Sequence, residues 1–139
     1  MGVRTEFNLA FDIWITREAG LSSPPDTNVS RELMIWLQYS ENPLPPFWFV
    51  EELTIGGETY EFYRGENEPT GTYVRDYLGF LKTSPELEGD TPIHEFIRYL
   101  VDNGHLTVDE YVRNVHLGNE IWHGTGETFI DAFAVGVNH

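Results

Sequence analysis

Cysteine is absent from the 139 residues, so neither a disulfide framework nor thiolate chemistry is available. Lysine occurs once, at Lys82, among eight basic residues. Against these stand 23 acidic residues, giving a formal charge of -15 and a pI near 4.4, a balance that disfavours nucleic acid and anionic membrane surfaces as partners. No apolar run approaches the ~20 residues of a membrane-spanning helix, and the residues after Met1 are polar and charged, unlike the apolar core of a signal peptide. The five histidines are scattered, without the helical i, i+4 pair of a zinc site, so no metal and no other cofactor is expected.

What is abundant is aromatic: four Trp, seven Tyr and nine Phe, a composition suited to a β-rich protein or to a surface that stacks flat ligands. Period-two segments dominate and predict an all-β chain with strands at roughly 6 to 16, 31 to 39, 47 to 55, 58 to 64, 72 to 83, 111 to 123 and 128 to 137. In TIGGETYEFY, Gly56 and Gly57 predict a tight hairpin turn. SSPPDTN at 22 to 28 and ENPLPP at 41 to 46 are loops by composition, too short for a domain linker, so a single domain over 1 to 139 is expected. One helix is predicted at about 92 to 103, with Thr91 as its cap, Pro92 in the first turn, an apolar face of Ile93, Phe96, Ile97 and Leu100, and Gly104 as its stop.

Alternation assigns faces. In RELMIWLQ, Leu33, Ile35 and Leu37 point to the core, while Glu32, Met34, Trp36 and Gln38 point to the other side. In NLAFDIWIT, Leu9, Phe11, Ile13 and Ile15 point inward and Asn8, Ala10, Asp12 and Trp14 outward. In NVHLGNEIWHG, Val115, Leu117 and Ile121 belong to the core, and His116, Glu120 and Trp122 share the opposite face. Three strands thus each present a carboxylate with a Trp farther along the same face, two residues on from Asp12 and Glu120 and four from Glu32. Exposed strand faces also carry Glu, and Trp also fills satellite clusters, so the pattern fits both a surface and a ligand cleft. Two acids flanking a bond are the minimum equipment for glycoside hydrolysis, and aromatic faces hold sugar rings through their C–H surfaces.

NLAFDIWIT, ELMIWL and GNEIWHG, in that order, resemble glycoside hydrolase family 12, the small endoglucanases and xyloglucanases. TIGGETYEFYRG, the 92 to 103 helix and ETFIDAFAVGVN resemble further parts of that family, so the likeness runs from about Phe7 to the end. It implies a jelly-roll, concanavalin-like antiparallel β-sandwich with one short helix, acting outside the cell on cellulose, mixed-linkage glucan or xyloglucan with retention of configuration. It further implies Glu32 as nucleophile, Glu120 as acid/base and Asp12 as the aspartate that hydrogen-bonds the nucleophile. Trp14, Met34, Trp36, Trp122 and Asn8 become candidate substrate-binding residues. Retention requires the two catalytic carboxyls about 5 to 5.5 Å apart.

Two departures from the family pattern matter. The chain begins almost at the Asp12 strand, where the family carries several strands upstream, so a homodimer or a complementing fragment covering exposed sheet edges is expected. ENPLPPFWF lacks the family's Pro-x-Gly turn, and Trp48 reads equally as part of a substrate loop or as a core aromatic opening a strand. The rival to a hydrolase is a noncatalytic carbohydrate-binding or self-assembling β-sandwich left by truncation.

Overall fold

Gly56 and Gly57 take φ of 61° and 82°, the left-handed pair that a two-residue hairpin turn demands and that side chains resist. The hairpin they close joins β3 (Trp48–Ile55) to β4 (Glu58–Thr70). With β1 (Glu6–Thr16), β2 (Val29–Tyr39), β5 (Tyr73–Lys82) and β6 (Tyr111–His123), these form one six-stranded sheet in the order β3-β4-β5-β2-β1-β6. The computed structural model describes residues 6–17, 29–40, 47–70, 73–84 and 89–123. The strand expected at 128 to 137 and the loops at 22 to 28 and 41 to 46 lie outside them, and among the described residues there is one sheet rather than two packed ones.

The other strand expectations match the observed elements to within a few residues, apart from β4, which runs on to Thr70. One pairing departs from an antiparallel sheet: β2 and β5 run parallel, Arg31 beside Asp76 through Trp36 beside Leu81. Parallel neighbours need a long crossover rather than a hairpin, and β3 and β4 supply it by folding outward before β5 returns to the centre.

The larger core lies on the helix face of the sheet. Ile13, Ile15, Leu33, Ile35, Phe62, Leu78 and Phe80 meet Phe96 and Leu100 of helix α1 (Ile93–Asp102), as the helix pattern predicted. Phe80 stacks on Phe62 at 4.7 Å and meets Phe96 edge-on at 4.9 Å, so aromatic rings carry the sheet-to-helix contact. Gly104, at φ 77°, follows the helix as expected, but Thr91 does not cap it with its side chain. The N-cap position is Pro92, with no side-chain cap bond, and the Ile93 N–H donates to the Thr91 carbonyl at 2.9 Å. Tyr99 ties the helix to β3 by donating to Glu51, and burial together with that carboxylate pushes its phenol pKa upward.

An ionic knot closes one end of this face. The Arg31 guanidinium grips Glu110 with two bonds, at 3.1 and 3.0 Å, and Asp76 with a third at 2.8 Å. Glu110 also accepts from Ser30 at 2.9 Å, and Asp76 from Arg64 at 3.3 Å. A planar fork on a carboxylate fixes direction as well as distance. The residue just before β6 is thereby held against β2, and β5 against both.

Candidate active site

The face away from the helix carries the predicted acids, arranged in rungs by the register. Glu32 pairs with Trp14 on one side and Tyr77 on the other, and Trp14 pairs with Asn114. On the next rung Met34 pairs with Asp12 and Gly79, and Asp12 with His116; on the third, Trp36 pairs with Ala10 and Leu81, and Ala10 with Gly118. Because cross-strand partners share a face, Glu32, Trp14 and Asp12 stand together, on adjacent rungs of neighbouring strands. All three are half-buried.

Asn8, fully buried, pairs with Glu120 on β6. Glu120 and Trp122 have their backbone in β6, while their side chains lie outside the described part. Glu32 and Glu120 are therefore opposite Trp14 and Asn8, six residues apart along β1, which at a strand rise of ~3.3 Å is about 20 Å. The register brings Glu32 to Asp12 and leaves the Glu120 backbone opposite Asn8, farther along β1.

Met34 and Trp36, at 5% and 2% exposure, form a floor with Ala10, Tyr77 and Leu81 rather than an open surface. Phe47, Tyr39 and Tyr63 close over that floor. Tyr39 reaches it because an irregularity between Leu9 and Ala10 brings Tyr39 opposite Asn8. Burial first, then the nearby Glu61 carboxylate, pushes the Tyr39 and Tyr63 phenols upward, so both stay protonated donors at neutral pH. Trp48, read as a loop or core residue, is neither a core residue nor on this face: it is 68% exposed and pairs with Arg64, whose side chain lies on the helix side. A bulge next to Phe49 shapes this edge.

Alternation alone did not single out Tyr77, which the register sets beside Glu32. Its hydroxyl accepts the Trp36 indole N–H at 3.0 Å. Its ring passes directly over Gly79, where an added Cβ would come within 2.6 Å of Cε1. The signal in the sequence was a glycine inside a strand, YLGF, which marks a close approach. Gly79→Ala is therefore expected to push the ring from its seat, break the Trp36 bond and lower stability by about 1–3 kcal/mol. Chemical denaturation and near-UV circular dichroism, sensitive to the Trp36 surroundings, read both effects.

The family model of glycosyl hydrolase family 12 matches residues 2–138. Endoglucanase S of Pectobacterium parmentieri is 30% identical over 134 residues, covering 94% of this chain and 49% of that protein. The xyloglucan-specific endo-beta-1,4-glucanase A of Emericella nidulans is 27% identical over 135 residues, covering 94% of this chain and 52% of that one. Among solved structures, a family 12 xyloglucanase from Bacillus licheniformis in complex with ligand superposes with a TM-score of 0.78 at 27% identity, over 88% of this chain and 52% of that one. The chain spans about half the length of the curated relatives it matches. With the family model matching residues 2–138 and the fold superposing on a solved family 12 enzyme, the chain belongs to glycosyl hydrolase family 12.

Proposed function

We propose that the protein hydrolyses internal β-1,4 linkages of a β-glucan with retention of configuration, Glu32 acting as nucleophile. The observation that carries this reading is the placement of Glu32 and Asp12 on adjacent rungs of a face floored by aromatic side chains. A carboxylate there has apolar surface beside it for a sugar ring and a second acid to orient it. Asn114, on the Glu32 rung, adds an acceptor: its Oδ1 is buried with no hydrogen-bond partner among the described residues, a costly state that a ligand hydroxyl would relieve. In the first step a Glu32 oxygen bonds to the anomeric carbon as the glycosidic C–O bond breaks, and the acid gives its proton to the leaving oxygen. In the second, water attacks that carbon, loses its proton to the same residue, and Glu32 leaves. Trp14 and Trp122 are proposed to stack sugar rings, with Asn8, Met34 and Trp36 shaping the floor beneath. The relatives are an endoglucanase and a xyloglucan-specific enzyme. On the family resemblance, the proposed site of action is extracellular.

Glu120 is proposed as the acid/base on the strength of GNEIWHG. That role requires the two carboxyls to come much closer than the backbone register sets them, with Glu120 opposite Asn8 and Glu32 opposite Trp14. The same separation favours a second reading, carbohydrate binding without turnover. One experiment separates them: hydrolysis of a soluble β-glucan oligosaccharide followed by proton NMR. Initial release of the β-anomer is the expected result. In Glu120→Ala, cleavage of an activated aryl glycoside should survive in its first step and azide should speed its second, because neither then needs the acid/base. No turnover by the unaltered protein leaves the binding reading in place, and initial release of the α-anomer overturns retention.

A further inference from the structure

Two aromatic residues outside the predicted set occupy the side of the floor next to Glu32. Phe47 lies flat on Tyr77, with ring centroids 4.3 Å apart and planes within 10°. Tyr77 is itself the rung partner of Glu32, so Phe47 forms the upper surface of the face at the nucleophile candidate. Two residues on, Phe49 meets Tyr63 edge-on at 5.5 Å and remains 55% exposed. Its ring continues the apolar surface outward along β3. Just beyond, Glu52 and Glu61 are direct cross-strand partners, like charges set opposite each other at a cost in stability.

We propose that Phe47 and Phe49 form a platform that binds a neutral β-linked glucan segment, leading the polysaccharide to Glu32. The platform rests on the hydrolytic reading only for the direction in which the chain runs. Rigid rings backed by other rings lose little freedom when a pyranose C–H face settles on them. Glu52 and Glu61 supply acceptors for its hydroxyls, and together with the formal charge of -15 they turn away acidic polysaccharides, fixing the ligand class as neutral. Continuity with the Glu32 rung argues for the substrate as occupant rather than a second copy of the chain.

The test measures binding without turnover, in the intact protein carrying Glu32→Gln. Calorimetric titration with cellohexaose and with cellobiose is made on this background and with Phe47→Ala, Phe47→Tyr, Phe49→Ala or Glu52→Gln added. Phe47→Ala should weaken hexaose binding on the order of tenfold, Phe47→Tyr should restore it, and Phe49→Ala should weaken hexaose more than cellobiose. Unchanged hexaose affinity in both alanine variants, with unaltered melting, overturns the platform. So does a shift in sedimentation with no change in glucan affinity, which would make the surface a self-association face. If the unaltered protein fails to hydrolyse glucan while Phe47→Ala still weakens binding, the hydrolytic reading falls and the platform stands. If hydrolysis holds and the affinities do not move, the reverse follows.

Discussion

Glu32→Gln in the intact protein should lower the turnover of soluble β-glucan on the order of 10⁴-fold or more, with substrate affinity little changed. Glutamine keeps the volume and the planar end of the side chain, so the rung of Tyr77, Glu32, Trp14 and Asn114 keeps its shape. What is lost is the anionic oxygen proposed to form the glycosyl ester. An amide neither attacks the anomeric carbon usefully nor offsets positive charge developing there. Because Glu32 is half-buried rather than enclosed in the core, folding should tolerate the change. Steady-state rates beside a thermal melt provide the check. Retention of more than about a hundredth of the activity would remove Glu32 from the nucleophile role.

The second large effect concerns stability. Phe80→Ala should cost about 3–5 kcal/mol, read as a fall in the denaturant midpoint. Phe80 is wholly buried, stacked on Phe62, and edge-on to both Phe96 and Tyr99. Removing the ring leaves a void at the seam between sheet and helix, where Phe62, Phe96 and Tyr99 lose their partner at once. Against a typical total of about 5–15 kcal/mol, such a loss leaves much of the population unfolded. Phe80→Leu, which keeps most of the volume, should cost less than half as much. Equal losses in the two variants would mean that ring geometry, not filled space, sets the stability here.

Much of the fold was legible because its signals are local. Alternation in β1 and β2 assigned Leu33, Ile35 and Ile13 to the core and Asp12, Glu32 and Trp14 to the other face, and Gly56-Gly57 marked the hairpin. Information that depends on distant pairing stayed hidden. Period two says which way a side chain points but not what lies above it, so the packing of Phe47, Tyr39 and Tyr63 against Trp36 and Met34 could not be read from it. Strand order cannot be read from composition, and without the parallel β2 and β5 register nothing linked Tyr77 to Glu32. Thr91 has the chemistry of a cap, yet the chain enters the helix through Pro92. Glu120 was assigned to the same groove by alternation, and its axial position, three rungs from Glu32, belongs to a register that single-strand periodicity does not encode.

The parallel seam has a consequence for how the molecule is made. Arg31 and Asp76, partners across it, are 45 residues apart in the chain. During synthesis the strand bearing Glu32 emerges long before the one that will flank it at the centre of the sheet, and until then one side of its backbone has no mate of its own. The hairpin of β3 and β4 closes cheaply in the meantime, whereas joining β5 to β2 requires the larger loss of chain entropy. The surroundings of Glu32 are thus completed only once the chain has been made through β5.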